Sequence, residues 1–237
     1  CTVNLTNCTF NGVVYLSNTD DKTANALTVT GGTFTSTTQN CFELLNTNLT
    51  MSGATLHNNV TEQSYQENGN EGNNFSKPLG YCIAFTNTDG VAATGSATLS
   101  NNTYNIADED GDYIFNQMDG ATLKMEVSRF NEFATVAAAG GEIKLLNDIE
   151  NAEGLAINKN LVVDFNSKTY TMNKPGTGSA GTQTLGFQLL QGNNVTFKNG
   201  TINCSEDNKN STWNSGDTEK GIAMMIQNYA QLTLENM

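Results

Sequence analysis

The chain has 237 residues, 37% of them hydrophobic, and its 24 acidic against 11 basic residues leave a net charge of −13. That charge repels phosphate backbones and excludes nucleic-acid partners from the reading. No run of 18 apolar residues exists, so no membrane span is expected, and neither is a signal peptide, because no charged and then apolar leader opens the chain.

The first predicted element is a strand, a sharp bend and a second strand, Val3-Asn-Leu-Thr-Asn-Cys-Thr-Phe10. Positions one and three are apolar while two and four are polar, the period-two pattern of a strand with one buried face. Position five is Asn7, a residue type that accepts left-handed backbone angles at little cost. An apolar strand follows over 13–16. The same unit returns as Leu27-Thr-Val-Thr-Gly-Gly-Thr-Phe34, followed by an apolar strand over 42–45. It returns again as Leu49-Thr-Met-Ser-Gly-Ala-Thr-Leu56. A polar stretch over 57–79 comes next, then an apolar strand over 81–85 and a fourth copy, Ala97-Thr-Leu-Ser-Asn-Asn-Thr-Tyr104. The steps are 24 residues from Val3 to Leu27, 22 from there to Leu49, and 48 from Leu49 to Ala97. The double step reads as one turn carrying a long loop. Each turn alone buries nothing, whereas stacked turns share one apolar row, so the repeat predicts a coil of parallel strands about 4.8 Å apart.

The acidic stretch Asp108-Glu-Asp-Gly-Asp112 follows, then a short apolar strand over 113–115. Its hard oxygens at Asp108, Asp110 and Asp112 offer a calcium site. The misplaced glycine and the missing twelfth-position Glu favour a solvated acidic turn. The template decays at Ala121-Thr-Leu-Lys, where Met125 and Val127 replace the bend residue and the Thr. A helix is predicted near 129–139, capped by Ser128, with Phe130, Phe133 and Ala137 on one face and Gly140-Gly141 ending it. Copies resume at Val163, at Val195-Thr-Phe-Lys-Asn-Gly-Thr-Ile202 and at Leu232-Thr-Leu-Glu-Asn-Met237, with apolar strands over 187–190 and 222–226. Because the chain starts and stops inside copies, it reads as a fragment or a processed form.

These repeats resemble the right-handed parallel β-helix of the pectate-lyase-like superfamily. The stretch Gly140-Gly-Glu-Ile-Lys-Leu-Leu-Asn-Asp-Ile149 and the following Leu161-Val-Val-Asp-Phe-Asn-Ser-Lys-Thr-Tyr170 look like the opening turns of β-helix modules in surface, adhesin-like proteins of gut bacteria. The resemblance implies an all-β right-handed parallel β-helix solenoid whose modules begin with a capping helix. Residues 1–128 are then the C-terminal turns of a first β-helix, and 129–237 the capping helix and first turns of a second. The rival is one continuous coil with a helical insertion.

Catalytic residues of that superfamily do not carry over. Its lyases need a basic residue beside a uronate, mostly with calcium, and its hydrolases need flanking carboxylates. Here the only arginine, Arg129, sits in the predicted helix, and the ten lysines are scattered. His57 has no second ligand nearby. Cys41 and Cys82 occupy similar places in successive strands and read as stacked core thiols rather than a disulfide. The outward row Thr28, Thr50, Thr98, Thr122, Thr196 and Thr233 suits sheet packing better than ice binding, since Lys198 and Glu235 intrude. Ten Asn-x-Ser/Thr sequons follow from the turn chemistry.

The long loops offer more. The stretch 57–79 holds Tyr65 among amides, and 203–220 holds the only tryptophan, Trp213, with Asn208, Asn210 and Asn214. Aromatic rings beside planar amides suit stacking on a sugar, and the competing reading folds Trp213 back over an apolar patch. The expectation is a non-catalytic, extracellular or cell-surface segment of a bacterial protein. It acts as an adhesin or glycan-binding scaffold for a polysaccharide or host glycan, and no cofactor is needed unless calcium binds the acidic turn. The alternatives are a polysaccharide lyase or glycoside hydrolase with an unrecognised site, and a structural spacer.

Overall fold

The computed structural model describes residues 1–18, 23–60, 80–85, 95–106, 121–178, 184–205, 222 and 224–237. The chain is mostly β, its strands stack in parallel as in a solenoid, and one α-helix lies among the described residues. It forms two compact units, Cys1–Lys124 and Met125–Met237.

In the first unit the strands are β1 (Thr2–Thr6), β2 (Thr9–Asn11), β3 (Val14–Ser17), β4 (Asn25–Thr30), β5 (Thr33–Ser36) and β6 (Phe42–Leu45). They continue as β7 (Thr47–Ser52), β8 (Thr55–Asn58), β9 (Ile83–Phe85), β10 (Gly95–Ser100) and β11 (Thr103–Ile106). Every third strand returns to the same sheet, giving the stacks β1-β4-β7-β10, β2-β5-β8-β11 and β3-β6-β9. The template copies align position for position. Val3, Leu27, Leu49 and Ala97 form one row, and Leu5, Val29, Met51 and Leu99 the next. Phe10, Phe34, Leu56 and Tyr104 make the inner row of the second sheet. The 48-residue step therefore leaves the register intact: β10 pairs with β7 through all six of its residues, Gly95 to Ser100.

The bends are where the sequence pattern puts them. Asn7, Gly31, Gly53 and Asn101 have φ of 48°, 63°, 66° and 52°. The ladder does not break there, since the amides of Asn7 and Gly31 each donate to the carbonyl one turn on, at 2.8 Å. A residue with an unfavourable left-handed conformation would strain each corner, which is why Asn and Gly recur.

The division between units falls inside β12 (Ala121–Val127), and the boundary expected after residue 128 lies between β12 and the helix. The second unit contains α1 (Phe130–Ala139), β13 (Gly141–Leu145), β14 (Ile149–Glu153), β15 (Ala156–Ile157), β16 (Leu161–Asp164) and β17 (Thr169–Lys174). Then come β18 (Leu185–Leu189), β19 (Asn194–Lys198), β20 (Thr201–Cys204), β21 (Met224–Asn228) and β22 (Gln231–Glu235). Here too there are three stacks, β13-β16-β19-β22, β14-β17-β20 and β15-β18-β21, with the register between β14 and β17 shifting on either side of Ala152. Asn199 and Asn236 turn its corners at φ 60° and 52°, and the side-chain amide of Asn236 donates to that of Asn199 at 3.1 Å.

Two local expectations are corrected. Val195 pairs with Leu161, not with Val163, so the preceding copy begins two residues earlier than the pattern suggests. A shift of two keeps every side chain on its face, so the pattern fits either start. The corner there is longer, with both Asn166 and Ser167 left-handed, and it turns Phe165 fully inward against Phe197 at 5.8 Å. The second correction concerns α1. Its N-cap is Arg129, with no side-chain cap; instead the Glu132 carboxylate reaches back to accept from the Ser128 amide at 2.7 Å and from Arg129 Nε at 2.9 Å. Its buried face is Glu132, Phe133, Val136 and Ala137, while Phe130 is only half-buried. Gly140 ends it as expected, at φ 81° with its amide donating to Val136. The helix packs on β13, β14 and β15, and Phe133 meets Tyr170 at 4.7 Å within a chain of rings that continues to Phe187 and Phe197.

Candidate functional site

Tyr65, Asp108, Asp110, Asp112, Asn208, Asn210, Trp213 and Asn214 lie outside the described residues. What the structure does define is the strands from which their segments spring. In the first unit, 61–79 joins β8 to β9 and 107–120 follows β11. In the second, 206–221 lies between β20 and β21. Each of these segments therefore follows a strand of its unit's second sheet, β2-β5-β8-β11 or β14-β17-β20. The equivalent connection is only 12–13 between β2 and β3, 37–41 between β5 and β6 and 154–155 between β14 and β15, and it is of intermediate length, 175–184, between β17 and β18. The coil thus lengthens at one recurring corner within each unit. One long segment, 86–94, departs from this and follows the third sheet.

The stem of the 61–79 segment is tied by amides. Asn58, the last residue of β8, is 2% exposed, and its Nδ2 donates to Gln39 O at 3.0 Å and to Tyr81 O at 2.9 Å. Its Oδ1 accepts from the Val60 amide at 3.3 Å. Asn40 completes the tie by accepting from the Tyr81 amide at 2.7 Å. A Cβ on Gly80 would lie 2.5 Å from Gln39 O and 2.8 Å from Asn58 Nδ2, so only glycine fits where the chain re-enters the stack. One planar amide holds the outgoing and returning strands together across the turn below. This residue is the one that sequence reasoning missed. Within His57-Asn58-Asn59 no spacing marks it, because both carbonyls it binds are distant in the chain.

In the second unit the stem before β18 is closed by an antiparallel bridge between Thr177 and Leu185, with Thr177 Oγ1 donating to Gly186 O at 2.8 Å. At the root of 206–221 the Ser205 amide donates to Met172 O at 2.8 Å. Amide ladders run over the neighbouring sheets, from Gln188 to Gln227 at 2.7 Å and from Asn173 to Asn151 at 2.8 Å. Below them Tyr170 is fully buried with its hydroxyl donating to Glu153 O, and burial together with the Glu153 charge pushes its pKa well above the ordinary phenol value.

Three ion pairs stand among the described residues. Arg129 is bound by Glu132, Lys144 by Glu126 at 3.1 Å and Lys174 by Glu153 at 3.5 Å. Among the described residues no three His, Cys, Asp or Glu side chains gather as a metal site, and no helix is long and apolar enough to cross a membrane. His57 belongs to β8 rather than to the loop, and its ring is 3.3 Å from the Asn105 amide in the register row Thr35, His57, Asn105. The outward Thr row is continuous from Thr28 through Thr50 to Thr98, and Thr196 faces Thr233. Lys198 and Glu235, the intruding charges, are direct register partners. Cys41 and Cys82 are both fully buried and neither is in a disulfide.

No family model, curated protein or solved structure matches this chain.

Proposed function

We propose that the chain is part of an extracellular bacterial surface protein, an adhesin-like scaffold that carries weakly sugar-binding loops on a right-handed parallel β-helix. The observation that supports this reading is the recurring corner: the segments holding Tyr65 and Trp213 both follow second-sheet strands, on stems built from backbone ladders and amides. Rigid stacks with variable connections at one corner present loops without altering the core. Trp213 supplies an apolar ring face, and Asn208, Asn210 and Asn214 supply planar donors and acceptors. A single stacking contact is worth about 1–3 kcal/mol on the scale of large buried side chains, so one copy binds weakly and affinity grows with arrayed loops.

The test is a glycan array probed with multimerised chain, beside the Trp213→Ala variant. Binding that disappears in the variant at unchanged melting temperature supports the reading. Binding that survives, or a variant that unfolds, makes Trp213 a packing residue. In parallel, acidic polysaccharides are incubated with the chain, with and without calcium. No new reducing ends or unsaturated products are expected, and turnover abolished by replacing one lysine would make it an enzyme.

A further inference from the structure

We propose that Cys41 and Cys82 form an intramolecular disulfide between adjacent turns when the chain folds under oxidising conditions. From the functional reading this takes only the oxidising compartment, and the experiment below supplies the oxidant itself.

The two cysteines stand one residue ahead of β6 and β9, and the register Phe42 to Ile83 makes them partners one step earlier. Both side chains are fully buried. Neighbouring parallel strands lie about 4.8 Å apart, within the Cα separation of about 4.4–6.8 Å that a disulfide spans. A regular ladder would still oppose the bond, because partnered Cβ atoms point in parallel and stay one strand spacing apart, whereas the bridge needs about 3.5–4.5 Å. The backbone is not regular there. The consecutive amides of Cys41 and Phe42 both donate across to the next turn, to Tyr81 O at 3.1 Å and Cys82 O at 3.0 Å. In a strand successive amides point opposite ways, so this bend turns the two residues out of the parallel arrangement. The Cys41 thiol donates to His57 O at 3.3 Å, and the neighbouring Cys82 thiol is the main influence that holds its pKa below the usual thiol value against the opposing effect of burial.

The chemistry balances with a small disulfide such as oxidised glutathione as the electron acceptor. The Cys41 thiolate attacks one glutathione sulfur and expels a glutathione thiolate. Cys82, as its thiolate, then attacks the Cys41 sulfur of the mixed disulfide and expels the second. Two protein S–H bonds are lost and one S–S bond forms. The two electrons and two protons leave on two molecules of reduced glutathione. Because both thiols are inaccessible in the packed chain, the exchange occurs during folding or local opening rather than on the closed stack.

The full chain is unfolded in denaturant with reductant and refolded in glutathione buffers of increasing oxidised fraction. It is then alkylated in denaturant without reduction and mapped by mass spectrometry. The expected result is three alkylated cysteines instead of five, with a peptide pair joined through Cys41 and Cys82. Cys41→Ser and Cys82→Ser are each expected to leave all four remaining thiols open to alkylation. The wild-type peptide map decides the matter even where a serine variant does not fold. Five alkylated thiols at every oxidised fraction in a chain that has regained its β-sheet circular dichroism, or a link through Cys1, Cys8 or Cys204 instead, overturns the proposal. Since no sugar enters the experiment, its outcome is separate from that of the glycan array.

Discussion

Asn58 is the sharpest place to test how the stem of the 61–79 segment is held. Its Nδ2 satisfies two backbone carbonyls at 3.0 and 2.9 Å from a side chain only 2% exposed. Asn58→Ala removes both bonds and leaves the carbonyls of Gln39 and Tyr81 without that donor. An abandoned acceptor costs about 1–3 kcal/mol, and the lower part of that range applies here because Gln39 is exposed and Tyr81 only partly buried, giving ~2–4 kcal/mol in all. For a domain of this size that is a fall in melting temperature of roughly 5–15 °C. Asn58→Asp has nearly the same shape but at neutral pH only acceptor oxygens, which would face two carbonyl oxygens. It is therefore expected to lose more than the alanine variant, and to recover in part as acid protonates the new carboxyl. Thermal unfolding followed by circular dichroism measures both variants, and hydrogen exchange at the amides of β6 and β9 localises the loss. An aspartate variant as stable as wild type at neutral pH, or an alanine loss below about 0.5 kcal/mol, the ordinary surface scale, would refute the clamp.

Further outcomes are expected elsewhere. Phe133→Ala empties a fully buried ring site against Tyr170 and should cost about 3–5 kcal/mol by urea unfolding, whereas Phe130→Ala on the half-buried side should cost clearly less. Asn199→Gly should be tolerated at its φ of 60°, while Asn199→Val should lower the melting temperature because a β-branched residue resists that conformation. The raised pKa of Tyr170 means its stabilising share is complete below the unfolded phenol value of about 10 and is lost as pH rises beyond it. The alkaline limb of a stability–pH curve should accordingly flatten in Tyr170→Phe. Calcium at millimolar concentration should leave the melting temperature unchanged if Asp108, Asp110 and Asp112 form a solvated turn, and a rise reversed by chelator would make them a site.

The coil was readable because its physics is local. Alternation marks which face is buried, and Asn or Gly at position five marks a left-handed corner. All six of Asn7, Gly31, Gly53, Asn101, Asn199 and Asn236 adopt it. Register was harder, since a two-residue slip at Val163 keeps the same faces and only the longer corner at Asn166 and Ser167 decides it. The cap of α1 is not legible because Ser128 is a good capping type, yet the cap position falls on Arg129 and Glu132 reaches back to the Ser128 amide before it. The Asn58 clamp was invisible because its partners, Gln39 and Tyr81, are neighbours only once the turns stack. The proposed sugar contacts rest on residue type alone, which is why their test is a binding experiment.

The unbroken register between β7 and β10 has an evolutionary consequence. Forty-eight residues separate Leu49 from Ala97, twice the usual turn, yet the two strands align as closely as those separated by 22. Lengthening a corner therefore leaves the hydrogen-bond ladder and the inner rows untouched, and its entropic penalty grows only with the logarithm of loop length. Insertions and deletions at that corner can accumulate almost neutrally with respect to folding. The stack can thus pass unchanged through a lineage while the loops diversify under whatever selection acts on the outside, and a change in what the surface recognises need not await a compensating change in the core.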